Sequence, residues 1–141
     1  MSFTRKRPAK YLRETIKAAH GVRVKWTYYH RRRMAIVTMN SNQKFTVTLH
    51  PEDALGNPGS LDSPPTWATD KPGIVTLQIA SDGLSCIVLG EAAGTCWVTP
   101  SATSGGGVNH FSGAPTVVTV LAAPLAPATQ LVEDIGPVVN Q

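Results

Sequence analysis

Residues 73–102, "GIVTLQIASDGLSCIVLGEAAGTCWVTPSA", contain three apolar runs separated by two turn sequences. In the first run Val75, Leu77 and Ile79 share a face if the chain is extended, because the side chains of a strand alternate between two faces. The Asp-Gly pair at 82–83 is a strong signal for a hairpin turn, and "EAAG" separates the second run from the third. The stretch therefore predicts three consecutive short β-strands.

The same alternation continues on both sides of this stretch. In "KFTVTLHP" the residues Phe45, Val47 and Leu49 share one face, and "PTWATD" and "APTVVTVLA" are typical of further strands. The segment "EDALGNPGSLDSPP" has the composition of a turn-rich loop, and no helical stripe occurs between residues 44 and 121. Short strands at nearly regular spacing predict an all-β sandwich or barrel, and about 80 residues are enough for a single core.

Charge divides the chain sharply near residue 33. Residues 1–33 hold eleven lysines and arginines and one acid, whereas residues 34–141 hold two lysines and eight acids. Such asymmetry is typical of a basic extension on a neutral or acidic domain. We therefore predict a basic extension over 1–33, a β-sandwich over 34–122 and a Pro/Ala-rich C-terminal linker or tail over 123–141.

The basic extension itself contains one segment with helical spacing. In "KYLRETIKAAHG" the residues Leu12, Ile16 and Ala19 fall on one helical face, and Gly21 is a plausible stop. The sequence thus predicts either a short helix followed by an arm or a solvated, poorly ordered tail.

Cations mixed with aromatic residues make the extension a candidate nucleic-acid arm, because cations neutralise phosphates and rings stack on bases. The cations are Arg5, Lys6, Arg7, Lys10, Arg13, Lys17, Arg23 and Lys25, and the aromatic residues are Tyr11, Trp26, Tyr28 and Tyr29. The motif is generic. Contact with DNA is therefore expected only through residues 1–33.

The stretch "RRRM" supports a different interpretation of the same segment. Met34 begins "MAIVTMNSNQKFTVTL", which has the character of a natural start, and three arginines precede it. A purine-rich ribosome-binding site read in frame would appear as consecutive AGG or AGA arginine codons. Under this hypothesis residues 1–33 are upstream sequence translated by an over-long gene prediction.

Four motifs follow one another from Lys44 to about Ala122: "VTLHPEDALGNP", "PTWATDKPGIVTL", "SDGLSCIVLGEAAGTCWVTPSA" and "TVVTV". In this order they resemble the first strand and turn, the Trp-to-Val element, the middle strands and turns, and the closing strand of the bacterial immunoglobulin-like domain, group 2. The resemblance implies an immunoglobulin-like sandwich of about seven short strands with Trp67 as a core anchor. The usual small residues of the middle strands are replaced by Cys86, Cys96 and Trp97, and the basic extension has no counterpart in the family.

The "DALGNP" opening and the Gly-rich loop before the last strand are similar to small domains encoded among tailed-phage structural genes. This likeness implies a non-enzymatic virion structural or decoration protein, which contacts other virion proteins or a host-surface glycan or protein. Such proteins assemble in the host cytoplasm, and we expect no signal peptide, membrane insertion, catalytic residue or cofactor. The alternatives are a bacterial cell-surface adhesion module and a nucleic-acid-binding protein acting through the basic arm.

The cysteines, histidines and aspartates are expected to have structural roles rather than to form functional sites. Cys86 and Cys96 could meet across the core as a disulfide, but a reducing cytoplasm favours two buried thiols. No metal-ligand spacing links the histidines His20, His30, His50 and His110, and Asp62, Asp70 and Asp82 are typical turn residues. "SGGGVNHFSG" lacks the features of a phosphate-binding loop, and we expect a flexible connection there, with a contact surface at one end of the sandwich as the alternative.

Overall fold

The computed structural model describes residues 7–29 and 32–122, and within them it contains ten β-strands and no helix. The strands are β1 (Tyr11–Ala18), β2 (Arg23–Tyr29), β3 (Arg32–Asn40), β4 (Lys44–Glu52), β5 (Thr66–Thr69), β6 (Val75–Ile79), β7 (Ser85–Gly90), β8 (Gly94–Ser104), β9 (Asn109–Ser112) and β10 (Thr116–Leu121). The prediction of an all-β protein is confirmed.

The strands form two sheets that face each other. One sheet has the order β1-β4-β7-β6, and the other has the order β2-β3-β10-β8-β5 with β9 paired to part of β8. All pairings are antiparallel except that of β3 with β10, in which Val118 lies beside Val37. This architecture is a two-sheet β-sandwich, as the strand spacing predicts.

The core lies between the sheets and consists of the inward residues of alternating strands. Phe45, Val47 and Leu49 of β4 are buried as predicted, and they face Val98 of β8 and Val118 of β10 within one apolar cluster. Burying such side chains contributes about 1.5–3 kcal/mol each relative to leaving them exposed. In β4 the two-residue period of the sequence therefore determines which face enters the core.

The predicted helix over "KYLRETIKAAHG" is wrong, because these residues form β1. Leu12, Glu14 and Ile16 turn inward, whereas Arg13 and Lys17 are exposed. Positions 12 and 16 share a face in a helix and also in a strand, so their spacing alone does not separate the two structures. Pairing of β1 with β4 over its whole length decides in favour of the strand.

The boundary predicted at residue 33/34 does not coincide with a break in the fold. β1 occupies the edge of the four-stranded sheet, β2 occupies the edge of the other, and β3 already begins at Arg32. The described part of the basic extension is thus built into both sheets. The predicted linker over 123–141 lies outside the described residues.

The strand count differs from the expected seven for two reasons. Residues 34–122 do carry seven main strands, and β1 and β2 are added by the segment before them. The third addition is β9, which lies within the segment predicted as a flexible loop. There the Asp62 carboxylate accepts hydrogen bonds from the Gly106 and Gly107 amides, at 3.0 and 2.7 Å, and so fixes the turn between β8 and β9.

Candidate functional site

A groove of about 720 Å³ opens between the edge strand β1 and the opposite sheet. We call it the edge groove. Its lining residues are Lys10, Tyr11, Leu12, Arg13, Glu14, Thr15, Ile16, Trp26, Arg33 and Ala114. Seven consecutive residues of one wall therefore come from a single strand and the residue before it.

Hydrogen-bond register explains why β1 presents backbone groups to the edge groove. The Leu49 amide of β4 donates to the Leu84 carbonyl at 2.7 Å. The backbone amides and carbonyls of the odd-numbered residues of β4 therefore point toward β7. The even-numbered residues then pair with β1, where Thr48 lies opposite Thr15 and His50 opposite Arg13. Because hydrogen-bonded and non-hydrogen-bonded pairs alternate, the amides and carbonyls of the intervening residues of β1 point away from β4. These intervening residues are Leu12, Glu14 and Ile16.

Glu14 is the most unusual side chain of the edge groove. It is 9% exposed, and neither carboxyl oxygen makes a hydrogen bond of ordinary geometry with another described residue. Burial raises the pKa of Glu14 to about 8, and the nearby Thr116 hydroxyl opposes only part of this shift. At neutral pH the group is therefore mainly a buried, neutral carboxylic acid.

The backbone opposite Glu14 leaves room for this carboxyl. Gly113 precedes β10, and a Cβ atom there would lie 2.8 Å from Glu14 Oε2 and 2.8 Å from Pro100 Cγ. Real Cβ atoms do not approach other atoms so closely, so any larger residue at 113 would displace the carboxyl or the proline. The position of Glu14 thus depends on a glycine nearly a hundred residues later in the chain.

The second wall of the edge groove carries an aromatic ring and a cation. The Arg33 guanidinium carbon lies 4.2 Å from the centroid of the Trp26 ring, in a cation–π contact. Trp26 is half-buried against the core, whereas Arg33 is exposed. The stacked pair gives this wall a flat, positively charged surface.

Further cations line the rim. Lys10 Nζ donates to Asn109 Oδ1 at 3.0 Å, and Arg13 Nε lies 3.1 Å from Glu52 Oε2. The Arg13 side chain remains 51% exposed, so water screens this ion pair and its contribution to stability is small. The edge groove thus combines a cationic rim with a neutral acid at its base.

The structure does not bring the candidate nucleic-acid residues onto one surface. Arg13 and Lys17 point outward from the four-stranded sheet, whereas Arg23 and Lys25 point outward from the other sheet and therefore in the opposite direction. Arg7 and Lys10 are exposed before β1, and the predicted contacts Arg5 and Lys6 lie outside the described residues. A single phosphate-binding stripe does not arise from this arrangement.

The two cysteines lie in facing sheets, Cys86 on β7 and Cys96 on β8. Both are buried and both are free thiols. Burial raises the pKa of Cys86 to about 11 and also raises the pKa of Cys96 above its ordinary value. Such thiols behave as small hydrophobic side chains with little thiolate character.

Trp67 packs against the rim of the core and is half-buried. Its indole Nε1 donates to the Gly83 carbonyl at 2.9 Å, which ties β5 to the Asp-Gly turn predicted at 82–83. The proposed anchor thus acts partly through a hydrogen bond that the sequence pattern does not reveal.

The aspartates predicted as turn residues accept backbone hydrogen bonds. Asp82 Oδ1 accepts from the Leu84 amide at 2.9 Å, and Asp70 Oδ1 accepts from the Trp97 amide at 2.8 Å. Over residues 7–29 and 32–122, no group of three histidine, cysteine or acidic side chains could hold a metal ion.

Sequence reasoning did not single out Glu14 as a functional residue. A usable signal was present, since Glu14 is the only acid among the first 33 residues and alternates with Arg13 and Thr15 on an extended chain. That signal required the segment to be recognised as a strand. In a helix or a solvated tail, Glu14 would be one more exposed charge.

Comparison with known proteins does not place the chain in a family. No protein-family model and no curated protein matches it. Among solved structures, domains 1–6 of the surface layer protein SbsC are 18% identical over 80% of this chain with a TM-score of 0.48. The Yersinia pseudotuberculosis adhesin InvE is 19% identical over 82% of this chain with a TM-score of 0.44.

This chain spans only 14% and 29% of the length of those two chains. Likeness at these scores carries no argument about function, and membership of the bacterial immunoglobulin-like family stays a prediction. Within the described part of the chain, no helix is long and apolar enough to cross a membrane.

Proposed function

We propose that this protein is a non-enzymatic structural or decoration protein of a phage or prophage particle, which attaches to a protein or a surface glycan through the edge groove. The observation that carries this proposal is Glu14, which lines the groove and whose buried carboxyl has no hydrogen-bond partner among the described residues. Burying a polar group without a hydrogen-bond partner costs about 1–3 kcal/mol in proteins. Polar groups held at such a cost in a cleft are candidates for ligand contact.

The rest of the groove supports binding. The Trp26–Arg33 pair offers a flat surface with positive charge, and aromatic residues and arginine are enriched at contact sites between molecules. The second wall, along β1, offers backbone donors and acceptors. These features suit recognition of an extended polar ligand.

The assignment to a phage particle rests on the resemblance of "DALGNP" and the Gly-rich loop to phage-encoded domains. Two buried free thiols fit a protein that assembles in a reducing compartment, since disulfides persist mainly in oxidising ones. A bacterial cell-surface adhesion module would use the same groove and is the alternative. Nucleic-acid binding is less favoured, because the basic residues of β1 and β2 face in opposite directions.

The test begins with particles purified from the source. We expect mass spectrometry to detect the protein in them, and we expect the labelled full-length chain to rebind to particles. Arg33→Ala should weaken rebinding, whereas Val108→Ser, at a residue 80% exposed on the turn between β8 and β9, should not.

The results of these experiments distinguish the three candidate functions. A protein that is absent from particles but binds host cells through Arg33 would support the adhesion alternative and exclude the virion role. Rebinding that is equal for the two variants would exclude the edge groove as the contact. Strong DNA binding that falls with rising salt would favour the nucleic-acid alternative instead.

A further inference from the structure

We propose that the occupant of the edge groove is an extended polypeptide segment of a partner protein, which pairs with β1 as a fifth strand of the four-stranded sheet. The segment has a hydroxyl or amide side chain opposite Glu14 and acidic side chains opposite Arg13 and Thr15. This inference rests on the proposed function, because it names the chemistry of the molecule that the same groove contacts.

The backbone of β1 has a free edge at which a further strand can pair. Among the described residues, β1 pairs with β4 only, and its other edge faces the groove. Leu12, Glu14 and Ile16 each present an amide and a carbonyl there, at intervals of about 7 Å. A polypeptide strand repeats its own donors and acceptors at this interval, and unpaired strand edges are established templates for an added strand.

Glu14 restricts which side chain the added strand can have opposite it. In an added strand the residue opposite Glu14 would share its inward face, with Cβ atoms about 4.5–5.5 Å apart. Both oxygens of the Glu14 carboxyl are closed off from solvent, so the side chain would have to turn toward the groove to meet a hydroxyl or amide at that place. There it would gain the hydrogen bond that it lacks within the described residues. A second cation would be less suitable there, because Lys10 and Arg33 already line the groove.

The outward cations of β1 favour an acidic partner strand. Arg13 and Lys17 face outward from β1 on the same side as the adjacent outward positions of an added strand. Glutamate or aspartate at those positions would pair with them. The same cations disfavour edge-to-edge pairing of two copies of β1, which would bring like charges together, so the partner strand is chemically different from β1.

The test uses the full-length chain and an acetylated, amidated peptide with the sequence threonine-valine-glutamate-serine-glutamate-valine-threonine. This sequence is palindromic, so it can pair in either direction with serine opposite Glu14. Isothermal titration calorimetry should show saturable one-to-one binding. In antiparallel pairing the amides that would donate to β1 are those of the serine and both valines, and in parallel pairing they are those of both glutamates and the second threonine. Two peptides carry N-methyl groups on one or the other set, and the peptide that loses the donors should bind at least about tenfold more weakly.

Charge reversal provides the matched protein variants. Arg13→Glu should weaken binding of the acidic peptide about tenfold and should strengthen binding of a peptide with lysine in place of both glutamates. Arg23→Glu makes the same change on the opposite sheet and should leave binding unchanged. Far-ultraviolet circular dichroism of both variants controls for folding.

Three results would overturn the proposal. Equal binding of the parent peptide and both N-methylated peptides would exclude backbone pairing, and equal effects of the two arginine variants would exclude the predicted orientation. No saturable binding at millimolar peptide would exclude a strand as occupant. If no peptide bound but Arg33→Ala still abolished attachment to particles, the proposed function would stand with a glycan as its target. If no peptide bound and Arg33→Ala left attachment unaffected, the proposed function and the strand-pairing proposal would both fail.

Discussion

At the scale of single residues, Glu14 links the chemistry of the site to the stability of the fold. Its carboxyl is buried without a hydrogen-bond partner among the described residues, and burial raises its pKa from the ordinary 4.5 to about 8. As pH rises from about 4.5 to about 8, the unfolded chain releases this proton whereas the folded chain retains it. The free energy of unfolding therefore falls across this window, by an amount on the order of a few kcal/mol.

Glu14→Gln should remove this pH dependence, because glutamine does not ionise. We expect the variant to match the parent near pH 4 and to be more stable by about 2 kcal/mol at pH 8. Urea unfolding at both pH values measures the difference. Glu91→Gln changes an exposed carboxyl and is the control; a parallel pH profile for Glu14→Gln and the parent would contradict the buried-acid account.

Gly83 illustrates a different constraint at the residue scale. Its φ is +70°, and a Cβ atom there would lie 2.7 Å from the Pro65 carbonyl oxygen. Gly83→Ala should therefore cost about 2 kcal/mol or more in the free energy of unfolding, from left-handed backbone strain and displacement of Pro65.

Gly73→Ala is the matched control for that change. Gly73 has ordinary φ, and a Cβ there would meet no atom within 4 Å, so the substitution should be neutral or slightly stabilising. Thermal or urea unfolding compares the two variants. Equal stabilities would show that the turn at 82–83 can relax away from Pro65.

At the scale of elements, the edge strands β1 and β2 make the described part of residues 1–33 a component of both sheets. β1 pairs with β4 from Tyr11 to Ala18, and β2 pairs with β3 from Arg23 to Tyr29. Leu12 adds a buried side chain to the core, and Val24 and Trp26 pack against it. A segment of purely upstream sequence has no physical reason to supply alternating inward apolar residues.

A chain that starts at Met34 tests this contribution directly. Without β1 and β2, the edges of β4 and β3 would be open, and apolar surface beneath both strands would be exposed to water. We expect the shortened chain to unfold at lower urea concentration than the full chain and to aggregate more readily. Equal stability would support the hypothesis that translation begins at Met34, and the first residue found by mass spectrometry on particles provides an independent answer.

At the scale of the whole molecule, the two thiols report on the integrity of the sandwich. Cys86 and Cys96 come from opposite sheets and both lie in the shared core at 1% exposure or less. A reagent reaches them only when the sheets separate. Burial also raises the pKa of both thiols, which further lowers their thiolate fraction.

Thiol labelling should therefore follow global unfolding. We expect both cysteines to resist an aromatic disulfide reagent in native buffer and to react together, at one rate, as denaturant is added. Mass spectrometry of partly labelled samples should show none or two adducts, with few single adducts. Rapid native reaction of Cys96 alone would instead indicate local opening of β8.

The sequence by itself determined the all-β class, the shared inward face of Phe45, Val47 and Leu49 in β4, and the turn at 82–83. These features are local: the two-residue period and the Asp-Gly pair are visible in any short window of the chain. Tertiary structure alone decided the secondary structure of residues 10–18. Leu12 and Ile16 fit a helix and a strand equally well, and only pairing with β4 selects the strand. It also decided the edge groove, because Glu14 and Gly113 are distant along the chain, and the Trp26–Arg33 pair of the β2–β3 hairpin meets β1 only when two sheets pack. A contact between distant residues depends on the register and packing of every element between them, and no local pattern encodes it.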